Sequence, residues 1–359
     1  MKTSDISRRQ FFKFSGSALA GTVLSTGLGS TVFAQAASRD FGAIKFGVIS
    51  DAHLDIKGKN GMKMSAESVN SVKKTVEGLN LEEDLSFVLV AGDLLLDGEK
   101  ENSAQIKALL DTLEYPYFVI AGNHDYIPAD PQKKRDGFSY LTIDEFVKTF
   151  KGHGYDKSLK RYWAQEIKSG LRVIGLDACL PEEPKKWGGV LPKEQLTWLD
   201  KQLTDHKEAL NLIMIHHNLV QWTADELAGG PKQWFTIDNA PEVRELLARH
   251  STAAPVVISG HRHIGLNYKE LAGVNYFAVP SINSHPMRYT LFELTNKSIS
   301  WKTPMVGLPV KVHMEAKENL LNAEWWRATQ YKNRNSFTDN QVLALYENSN
   351  MVLGEKEII

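Results

Sequence analysis

The sequence predicts an α/β fold whose central sheet is built largely from parallel strands. From Phe41 onward, short apolar runs alternate with helical patterns, which is typical of βαβ units. The chain has 359 residues, 42% of them hydrophobic and 24% charged, which is enough apolar material for one large domain. Because Cys179 is its single cysteine, an intramolecular disulfide is excluded and the fold must depend on its core.

Five short apolar runs are predicted to be parallel strands that are buried on both faces. They are residues 44–50, 87–91, 117–121, 212–215 and 255–259. Helical periodicity with a polar outer face occurs between them, at residues 65–79, 102–113, 193–203 and 241–248. Three further segments are predicted to be antiparallel hairpins, at residues 162–178, 268–280 and 289–301, with turns at Ser169-Gly170, Ala272-Gly273 and Asn296-Lys297.

Residues 218–240 follow a predicted strand but show no clear periodicity. The segment contains Trp222 and Trp234 and is predicted to form a long loop, of a kind that is often functional in compact domains. Its tryptophans would either anchor the loop or stack against an organic group of a bound molecule.

The C-terminal residues 312–359 contain Trp325, Trp326 and a helical pattern at 339–347 that Thr338 would cap. We expect this tail to pack its aromatic residues on the main body, with partner binding as the alternative. The predicted organisation is therefore a main domain at residues 37–304 and a C-terminal tail at residues 305–359.

The first 36 residues contain the three parts of an export signal. Ser7-Arg8-Arg9-Gln10-Phe11-Phe12-Lys13 resembles a twin-arginine motif, and a weakly apolar stretch rich in Gly and Ser follows it. Ala34-Gln35-Ala36 supplies a small-residue cleavage pattern. We expect residues 1–36 to be recognised by the twin-arginine export machinery and the protein to be periplasmic or otherwise exported. The alternatives are a basic surface helix and a membrane anchor, but the Gly and Ser content argues against a stable anchor.

The charge distribution gives no reason to expect general binding to nucleic acid. In the first 36 residues, Lys2, Arg8, Arg9 and Lys13 outweigh Asp5, a net charge of +3. The formal charge of the whole chain is −1, so the remainder carries −4. Proteins that bind nucleic acid generally neutralise its phosphates with Lys and Arg, which this mildly acidic body does not favour.

Each of the five predicted parallel strands ends in residue types that bind metal ions. The motifs are Asp51-Ala52-His53, Gly92-Asp93, Gly122-Asn123-His124-Asp125, His216-His217-Asn218 and Gly260-His261-Arg262-His263. Binding sites in sheets of this type form outside the carboxyl ends of the strands, where loops from several strands converge. Any one motif could be an ordinary surface loop, but all five in this order predict a single site.

The side chains of these motifs indicate the chemistry of the site. Carboxylate, imidazole and carboxamide groups suit divalent first-row metal ions, and the lack of clustered cysteines argues against a thiolate site. A spacing of two puts Asp51 and His53 on the same side of an extended segment. The same spacing aligns His261 with His263 and turns Arg262 away. The sequence therefore predicts a metal centre at the strand ends.

The order of the motifs, from residue 46 to residue 263, resembles the calcineurin-like metallophosphoesterase superfamily. The resemblance implies a sandwich of two mixed β-sheets flanked by helices, and two divalent metal ions. Manganese, iron and zinc all remain open, because ligand type specifies metal identity poorly. By motif, one ion would be held by Asp51, His53 and His263, the other by Asn123, His216 and His261, and Asp93 would bridge them.

The resemblance further implies that the chain hydrolyses phosphate esters. A hydroxide held between the two metal ions would attack phosphorus. His124 would donate a proton to the leaving group, with Asp125 as its orienting partner. A phosphomonoesterase of the same fold is one alternative, and an exported metal- or ligand-binding protein without turnover is another. His124, which binds no metal in the family, argues against the second alternative.

Departures from the family pattern favour one branch. His53 is present and leucines follow Asp93, whereas purple acid phosphatases lack this histidine and have a tyrosine after the aspartate. Asp125 stands where serine/threonine phosphatases usually have Glu, which favours the cyclic-nucleotide or glycerophosphodiester phosphodiesterases. Asn218 replaces a proline that often follows the two histidines of the fourth motif. His216 remains the predicted ligand of that pair.

Overall fold

The structure is a computed structural model that describes residues 41–128, 132, 134–181, 188–222, 235–323, 338–348 and 352–358. The predicted signal peptide lies outside these residues, as do Trp234, Trp325 and Trp326. In the described part of the chain, no helix is long and apolar enough to cross a membrane. Export and the domain boundaries at 36/37 and 304/305 stay predictions.

Twelve strands occur among the described residues, and they form two six-stranded sheets. In chain order they are β1 (Ile44–Ile49), β2 (Leu85–Val90), β3 (Tyr117–Val119), β4 (Trp163–Lys168), β5 (Leu171–Leu176), β6 (Leu210–Ile215), β7 (Val256–Ser259), β8 (Asn267–Leu271), β9 (Val274–Ala278), β10 (Thr290–Leu294), β11 (Ser298–Lys302) and β12 (Leu353–Glu357). The five predicted parallel strands and the three predicted hairpins are all present.

Both sheets are mixed, because antiparallel strands extend a parallel centre. The first sheet has the order β12-β11-β10-β1-β2-β3, with β1 to β3 parallel and the other three strands antiparallel to their neighbours. The second has the order β4-β5-β6-β7-β9-β8, with β4 and β8 antiparallel at its edges. The predicted sandwich of two mixed sheets is therefore confirmed.

Seven α-helices of the described residues flank this sandwich. They are α1 (Ser68–Asn80), α2 (Lys100–Leu110), α3 (Ile143–Thr149), α4 (Lys193–Asp205), α5 (Ala240–Arg249), α6 (Val310–Asn322) and α7 (Asp339–Leu343), and a 3-10 turn at Ser65–Glu67 precedes α1. α1 packs so closely on β1 that a Cβ at Gly47 would lie 2.6 Å from the side chain of Leu79. The four predicted helices are present with shifted ends, whereas α3, α6 and β12 were not predicted.

The second sheet separates two of the three apolar clusters of the described core. Leu212 and Met214 of β6 belong to the layer between the sheets, while Ile213 and Ile215 belong to the layer under α4 and α5. This alternation is the period of two that a buried strand requires. Between the sheets, the ring of Phe277 in β9 packs edge-on against Phe292 in β10, with centroids 5.3 Å apart. Packing of this kind fixes the sheets relative to each other.

The C-terminal residues add structure to the sandwich. α6 buries a narrow stripe of Val312, Ala316 and Leu320. α7 begins after the predicted cap, Thr338, whose side chain forms a capping box with Gln341, but it ends at Leu343 rather than at residue 347. β12 pairs antiparallel with β11 and so becomes the edge of the first sheet.

Candidate metal centre

The seven predicted ligands follow five parallel strands, three in the first sheet and two in the second. Asp51 and His53 follow β1, Asp93 follows β2, Asn123 follows β3, His216 follows β6, and His261 and His263 follow β7. The carboxyl ends of the two sheets bring these residues to one end of the sandwich. All are buried except His261, which is partly exposed.

Six of the seven residues form two groups that could hold a metal ion. One group is Asp51, His53, Asp93 and His263, and the other is Asp93, His216 and His261. Within each group, one potential ligand atom of every residue lies within 4.8 Å of the others. Asp93 belongs to both groups. The side-chain oxygen of the seventh residue, Asn123, is buried without a hydrogen-bond partner in the described part of the chain.

Short distances between potential ligand atoms define the first group. His53 Nε2 lies 2.9 Å from His263 Nε2 and 3.5 Å from Asp93 Oδ2. His263 Nε2 lies 3.2 Å from Asp51 Oδ1. In the second group, the same Asp93 Oδ2 lies 3.2 Å from His216 Nε2. One oxygen of Asp93 therefore faces an imidazole of each group.

The backbone determines which nitrogen of His216 faces the centre. Its Nδ1 lies 2.8 Å from the carbonyl oxygen of Ala91, which only accepts hydrogen bonds. Nδ1 therefore carries the ring hydrogen, and in the neutral ring the Nε2 lone pair points toward Asp93. His263 Nδ1 is held in a comparable way, 3.0 Å from Ser284 Oγ. Metal-binding histidines commonly have such a partner on the nitrogen that does not bind the metal.

The electrostatics of this donor set fit a cation. Burial lowers the pKa of His216, but the Asp93 carboxylate raises it to about 9, so a positive charge is favoured at this position. Burial raises the pKa of Asp93, but His216 and His124 lower it well below its usual range and keep it ionised. Burial and the Lys63 charge lower the pKa of His53, which keeps that ring neutral. Neutral imidazoles and ionised carboxylates are the forms that bind metal ions.

Backbone strain is concentrated at the centre. Nine described non-glycine residues have a positive φ, and five of them are predicted ligands. These five are Asp51, His53, Asp93, His261 and His263, with φ between 40° and 69°. Such conformations cost about 1–3 kcal/mol each and persist where the surrounding structure imposes them. Residues 51–53 and 261–263 are therefore not the extended segments that were predicted. Arg262, between the last two ligands, has its guanidinium 4.0 Å from the centroid of the Phe235 ring.

Two glycines leave room for the carboxylates of the centre. A Cβ at Gly122 would lie 2.2 Å from Asp93 Oδ1, and a Cβ at Gly260 would lie 2.7 Å from Asp51 Oδ2. Neither glycine has a positive φ. Their role is therefore to allow the close approach of these carboxylates rather than a left-handed backbone conformation.

His124 belongs to neither ligand group but lies against the first. Its backbone N–H donates to Asp93 Oδ1 at 2.9 Å, and its ring packs edge-on against His53 with centroids 4.8 Å apart. Its Nδ1 lies 2.6 Å from the Leu96 carbonyl oxygen and 2.9 Å from Asp97 Oδ1. Nδ1 therefore carries a hydrogen, which leaves Nε2 as the atom that can meet a substrate.

The structure corrects the role predicted for Asp125. Its buried carboxylate accepts hydrogen bonds from three backbone N–H groups, those of Gly122 at 2.8 Å, Leu94 at 2.7 Å and Leu95 at 2.9 Å. Burial and the Asp93 charge raise the pKa of Asp125, while these donors oppose the rise. The carboxylate that lies against His124 is Asp97. Asp125 therefore fixes the loops that follow β2 and β3.

Sequence reasoning missed three side chains of the centre. They are Asp97, Ser284 and Lys63, whose Nζ lies 3.1 Å from His53 Nδ1 and 3.3 Å from His124 Nε2. Ser284 belongs to the segment after β9, where Ser281 Oγ also donates to the Asp51 carbonyl oxygen at 2.8 Å. None of these residues follows a strand within a recognisable motif, so their positions could not be deduced from spacing.

The loop after β6 is fixed by its own side chains. Trp222 Nε1 donates to Asn218 Oδ1 at 2.8 Å, and Asn218 Nδ2 donates to the Gly260 carbonyl oxygen at 3.0 Å. Trp222 therefore anchors the first residues of this loop. His217 is buried with its ring 4.5 Å from that of His261, but it is not in either ligand group, whereas the histidine before it is.

Two mixed sheets with an Asp/His centre at the carboxyl ends of their parallel strands define a metal-binding α/β sandwich. Residues 44–265 match the family model described as calcineurin-like phosphoesterase, a range that contains every predicted ligand. The chain belongs to the calcineurin-like phosphoesterase family.

The curated relatives include several phosphodiesterases. A probable glycerophosphodiester phosphodiesterase, GpdQ, of Arcobacter nitrofigilis is 28% identical over 47% of this chain and 55% of its own length. A probable cyclic nucleotide phosphodiesterase of Synechococcus is 30% identical over 49% of this chain and 57% of its own. The chain therefore spans little more than half of these two relatives. The 3′,5′-cyclic adenosine monophosphate phosphodiesterase CpdA of Haemophilus influenzae is 23% identical over 66% of this chain and 76% of its own.

A solved structure shares the fold. The dimetal phosphatase from Danio rerio superposes with a TM-score of 0.58 over 72% of this chain and 95% of its own, at 18% sequence identity. Similarity at this level of identity concerns the arrangement of the sheets and helices. It agrees with the sandwich described above.

Proposed function

We propose that this protein hydrolyses phosphodiesters with two divalent metal ions bound at the centre. The observation that carries the proposal is the position of Asp93, whose carboxylate belongs to both groups of potential ligands. Bound divalent ions supply Lewis-acid activation of a phosphoryl oxygen and lower the pKa of water. Manganese, iron and zinc all suit these nitrogen and oxygen donors.

The side chains around the reacting group have two proposed roles, metal binding and proton transfer. Asp51, His53 and His263 would hold one ion, Asn123, His216 and His261 the other, and Asp93 both. His124 would move a proton from Nε2 to the leaving-group oxygen, while Asp97 orients the ring through Nδ1. The rings of His53, His124 and His216 are held by backbone carbonyl oxygens before substrate arrives, so these rings require little reorganisation.

The curated relatives support a diester over a monoester substrate. Three of them carry names that refer to glycerophosphodiesters or cyclic nucleotides, both of which are phosphodiesters. Asp125, at the end of the motif Gly122-Asn123-His124-Asp125, also favours the phosphodiesterases, because serine/threonine phosphatases usually have Glu at this position. A phosphomonoesterase is the alternative that the following experiment separates.

The test compares metal content and activity in one set of samples. The parent protein is loaded with manganese, iron or zinc and assayed on bis(4-nitrophenyl) phosphate and 4-nitrophenyl phosphate, which share a leaving group. We expect about two ions per chain and a preference for the diester of at least about tenfold, a difference of about 1.4 kcal/mol in transition-state binding. A comparable preference for the monoester would contradict the proposed substrate class.

Variants of Asp93 and His261 test the shared carboxylate. Asp93→Ala is expected to lose both ions and nearly all activity, because its side chain faces both groups. His261→Ala is the matched comparison, since it removes one member of one group and is expected to retain an ion at the other. Two ions per chain and near-parental activity in Asp93→Ala would exclude the dinuclear arrangement.

We further propose that the twin-arginine motif of residues 1–36 directs the protein out of the cytoplasm. The support is the order of the motif, the weakly apolar stretch and the cleavage pattern in the sequence. Export by this route is compatible with a protein that folds and binds its metal ions before translocation.

A further inference from the structure

Lys63 has no part in the ligand groups or in the proton transfer proposed for His124. It lies between β1 and the 3-10 turn at Ser65–Glu67, in a segment that is tied to the loop after β9. The backbone N–H of Met64 donates to the Asn283 carbonyl oxygen at 2.7 Å, and Lys63 itself forms a bridge with Ser284. The half-buried Lys63 side chain therefore starts from a fixed position beside the centre.

The Lys63 ammonium lies between the imidazoles of His53 and His124, which differ in their ability to accept a hydrogen bond from it. Its Nζ is 3.1 Å from His53 Nδ1 and 3.3 Å from His124 Nε2, and an ammonium group only donates. His53 Nδ1 also lies 3.2 Å from the Leu95 carbonyl oxygen, which only accepts. When His53 Nε2 serves as a ligand, Nδ1 of the neutral ring carries the hydrogen and donates it to Leu95. Lys63 is then directed toward the His124 side of the centre.

We propose that Lys63 is a second donor to the leaving-group oxygen of the substrate, beside His124. The inference rests on the function proposed above. Asp97 holds His124 by Nδ1, so Nε2 is the atom that meets the leaving group. Because Nζ is 3.3 Å from that nitrogen, a leaving-group oxygen placed between them would accept hydrogen bonds from a protonated Nε2 and from Lys63, in place of the contact that the two groups make with each other.

The contribution of Lys63 is electrostatic. As the bond from phosphorus to the leaving oxygen breaks, its electron pair remains on that oxygen and His124 supplies the proton. A water oxygen forms the new bond to phosphorus and releases its proton to solvent. Lys63 keeps its own protons throughout. A fixed positive charge beside the leaving oxygen lowers the barrier because the negative charge is greater in the transition state than in the bound substrate.

The test varies the leaving group and keeps the remainder of the substrate constant. Methyl 4-nitrophenyl phosphate releases a stable phenolate, whereas methyl phenyl phosphate releases a more basic one that needs stabilisation. We expect Lys63→Met to slow hydrolysis of the phenyl ester by about 10²-fold and of the nitrophenyl ester by no more than about fivefold, the loss of one donor at a site of developing charge. Metal content, measured by mass spectrometry, is expected to match the parent.

Lys59→Met is the matched control. Lys59 is exposed in the same segment, so this variant removes the same charge without touching the centre, and its rates on both esters should equal those of the parent. A purely structural role for Lys63 would slow both esters equally, and this result would overturn the inference. A parent protein that hydrolyses neither ester would overturn the proposed function instead.

A second neutral variant, Lys63→Gln, decides the outcome if Lys63→Met does not fold. It is judged by the same two esters, by metal content and by its thermal unfolding. A selective loss on the phenyl ester supports the inference, and equal losses or parental rates contradict it. If neither neutral variant folds, Lys63 is a structural cross-link and the inference is wrong.

Discussion

His124 differs from the imidazoles of the ligand groups in the surroundings of its ring. Its Nδ1 is held by Asp97 and by a backbone carbonyl, and its side chain is partly exposed, whereas His53 and His216 are buried. A carboxylate and a carbonyl at one nitrogen fix the orientation of the ring and leave the other nitrogen able to face a substrate. Because His53 Nε2 and His263 Nε2 lie 2.9 Å apart, those rings are suited to binding a common ion.

His124→Ala is therefore expected to affect substrates according to their leaving groups. An alkyl or nucleoside diester, which releases a basic alkoxide, should be hydrolysed about 10²–10⁴-fold more slowly, the usual range for general acid catalysis. A nitrophenyl diester should be affected much less, because nitrophenolate departs without a proton. Rates on both substrates are measured together with the metal content, which should remain parental.

His206→Ala is the control for this comparison, since His206 is exposed at the end of α4. Its activity on both substrates should be unchanged. If His124→Ala slowed both esters to the same extent, the general-acid role would be wrong. If the His124→Ala variant lost a metal ion, His124 would be a metal ligand, and the ligand role assigned to Asn123 would belong to the residue after it.

Among single residues, the sequence could predict the ligands that directly follow a strand. It could not predict the residues that the fold brings to the centre from other segments. Asp51, His53 and Asp93 follow buried strands in motifs of fixed spacing, so their meeting follows from parallel topology. Lys63 arrives through the pairing of its segment with the loop after β9, a contact between residues far apart in sequence. Asp97 lies four residues after Asp93, but only the folded turn shows that it faces His124.

At the scale of elements, a buried ion cluster joins three segments beside the centre. Arg135 Nη1 lies 2.8 Å from Asp55 Oδ2 in the loop after β1, and Arg135 Nη2 lies 2.6 Å from Glu99 Oε1 at the start of α2. The two carboxylate side chains are 1% and 0% exposed, respectively, while the arginine is one-third exposed. The Arg135 guanidinium therefore compensates the negative charges of both carboxylates, which have little access to water.

Arg135→Met should lower the free energy of unfolding by about 2–4 kcal/mol, because removing one partner leaves buried charges uncompensated. Urea denaturation followed by circular dichroism measures the change. Lys134→Met is the adjacent control, since Lys134 is exposed, and its midpoint should stay near that of the parent. Equal midpoints for the two variants would show that the cluster contributes little to stability.

The elements that were not predicted lack a strong hydrophobic signal. β12 contains Glu355-Lys356-Glu357 and lies at the edge of the first sheet, and four of its five residues are exposed. α6 buries about one residue per turn, a stripe narrower than that of α1. α3 is seven residues long, although the capping box of Thr142 and Glu145 is a signature that the sequence displays.

At the scale of the whole molecule, export is predicted from the sequence of residues 1–36 alone, because these residues lie outside the described part of the structure. Replacing Arg8 and Arg9 together by Lys should leave the full-length precursor in the cytoplasm, because the twin-arginine signal depends on that pair. Cell fractionation and N-terminal sequencing of the exported form, expected to begin near residue 37, measure this. Arg39→Lys lies beyond the predicted cleavage position and should have no effect. An unchanged exported form in the double variant would indicate another export route.

The arrangement of two sheets could be predicted only in part. The alternation of strands and helices indicated parallel strands, but the division into two sheets came from the resemblance of the motifs to a family. The hairpin of β8 and β9 illustrates the limit. Its turn is visible in the sequence, whereas the insertion of β9 beside β7, with β8 outside it, depends on packing between distant residues.

The centre lies where the two sheets meet, since Asp51, His53 and Asp93 come from the first sheet and His216 and His263 from the second. A metal ion held by both sets would join the halves of the sandwich. An ion that binds only the native state adds about 4 kcal/mol to the free energy of unfolding when its free concentration is 1,000 times its Kd. The sheets could not then separate without releasing it. With such an ion bound, the centre would also be a reversible cross-link, and the lifetime of the folded protein in a metal-poor environment would depend on how slowly this cross-link opens.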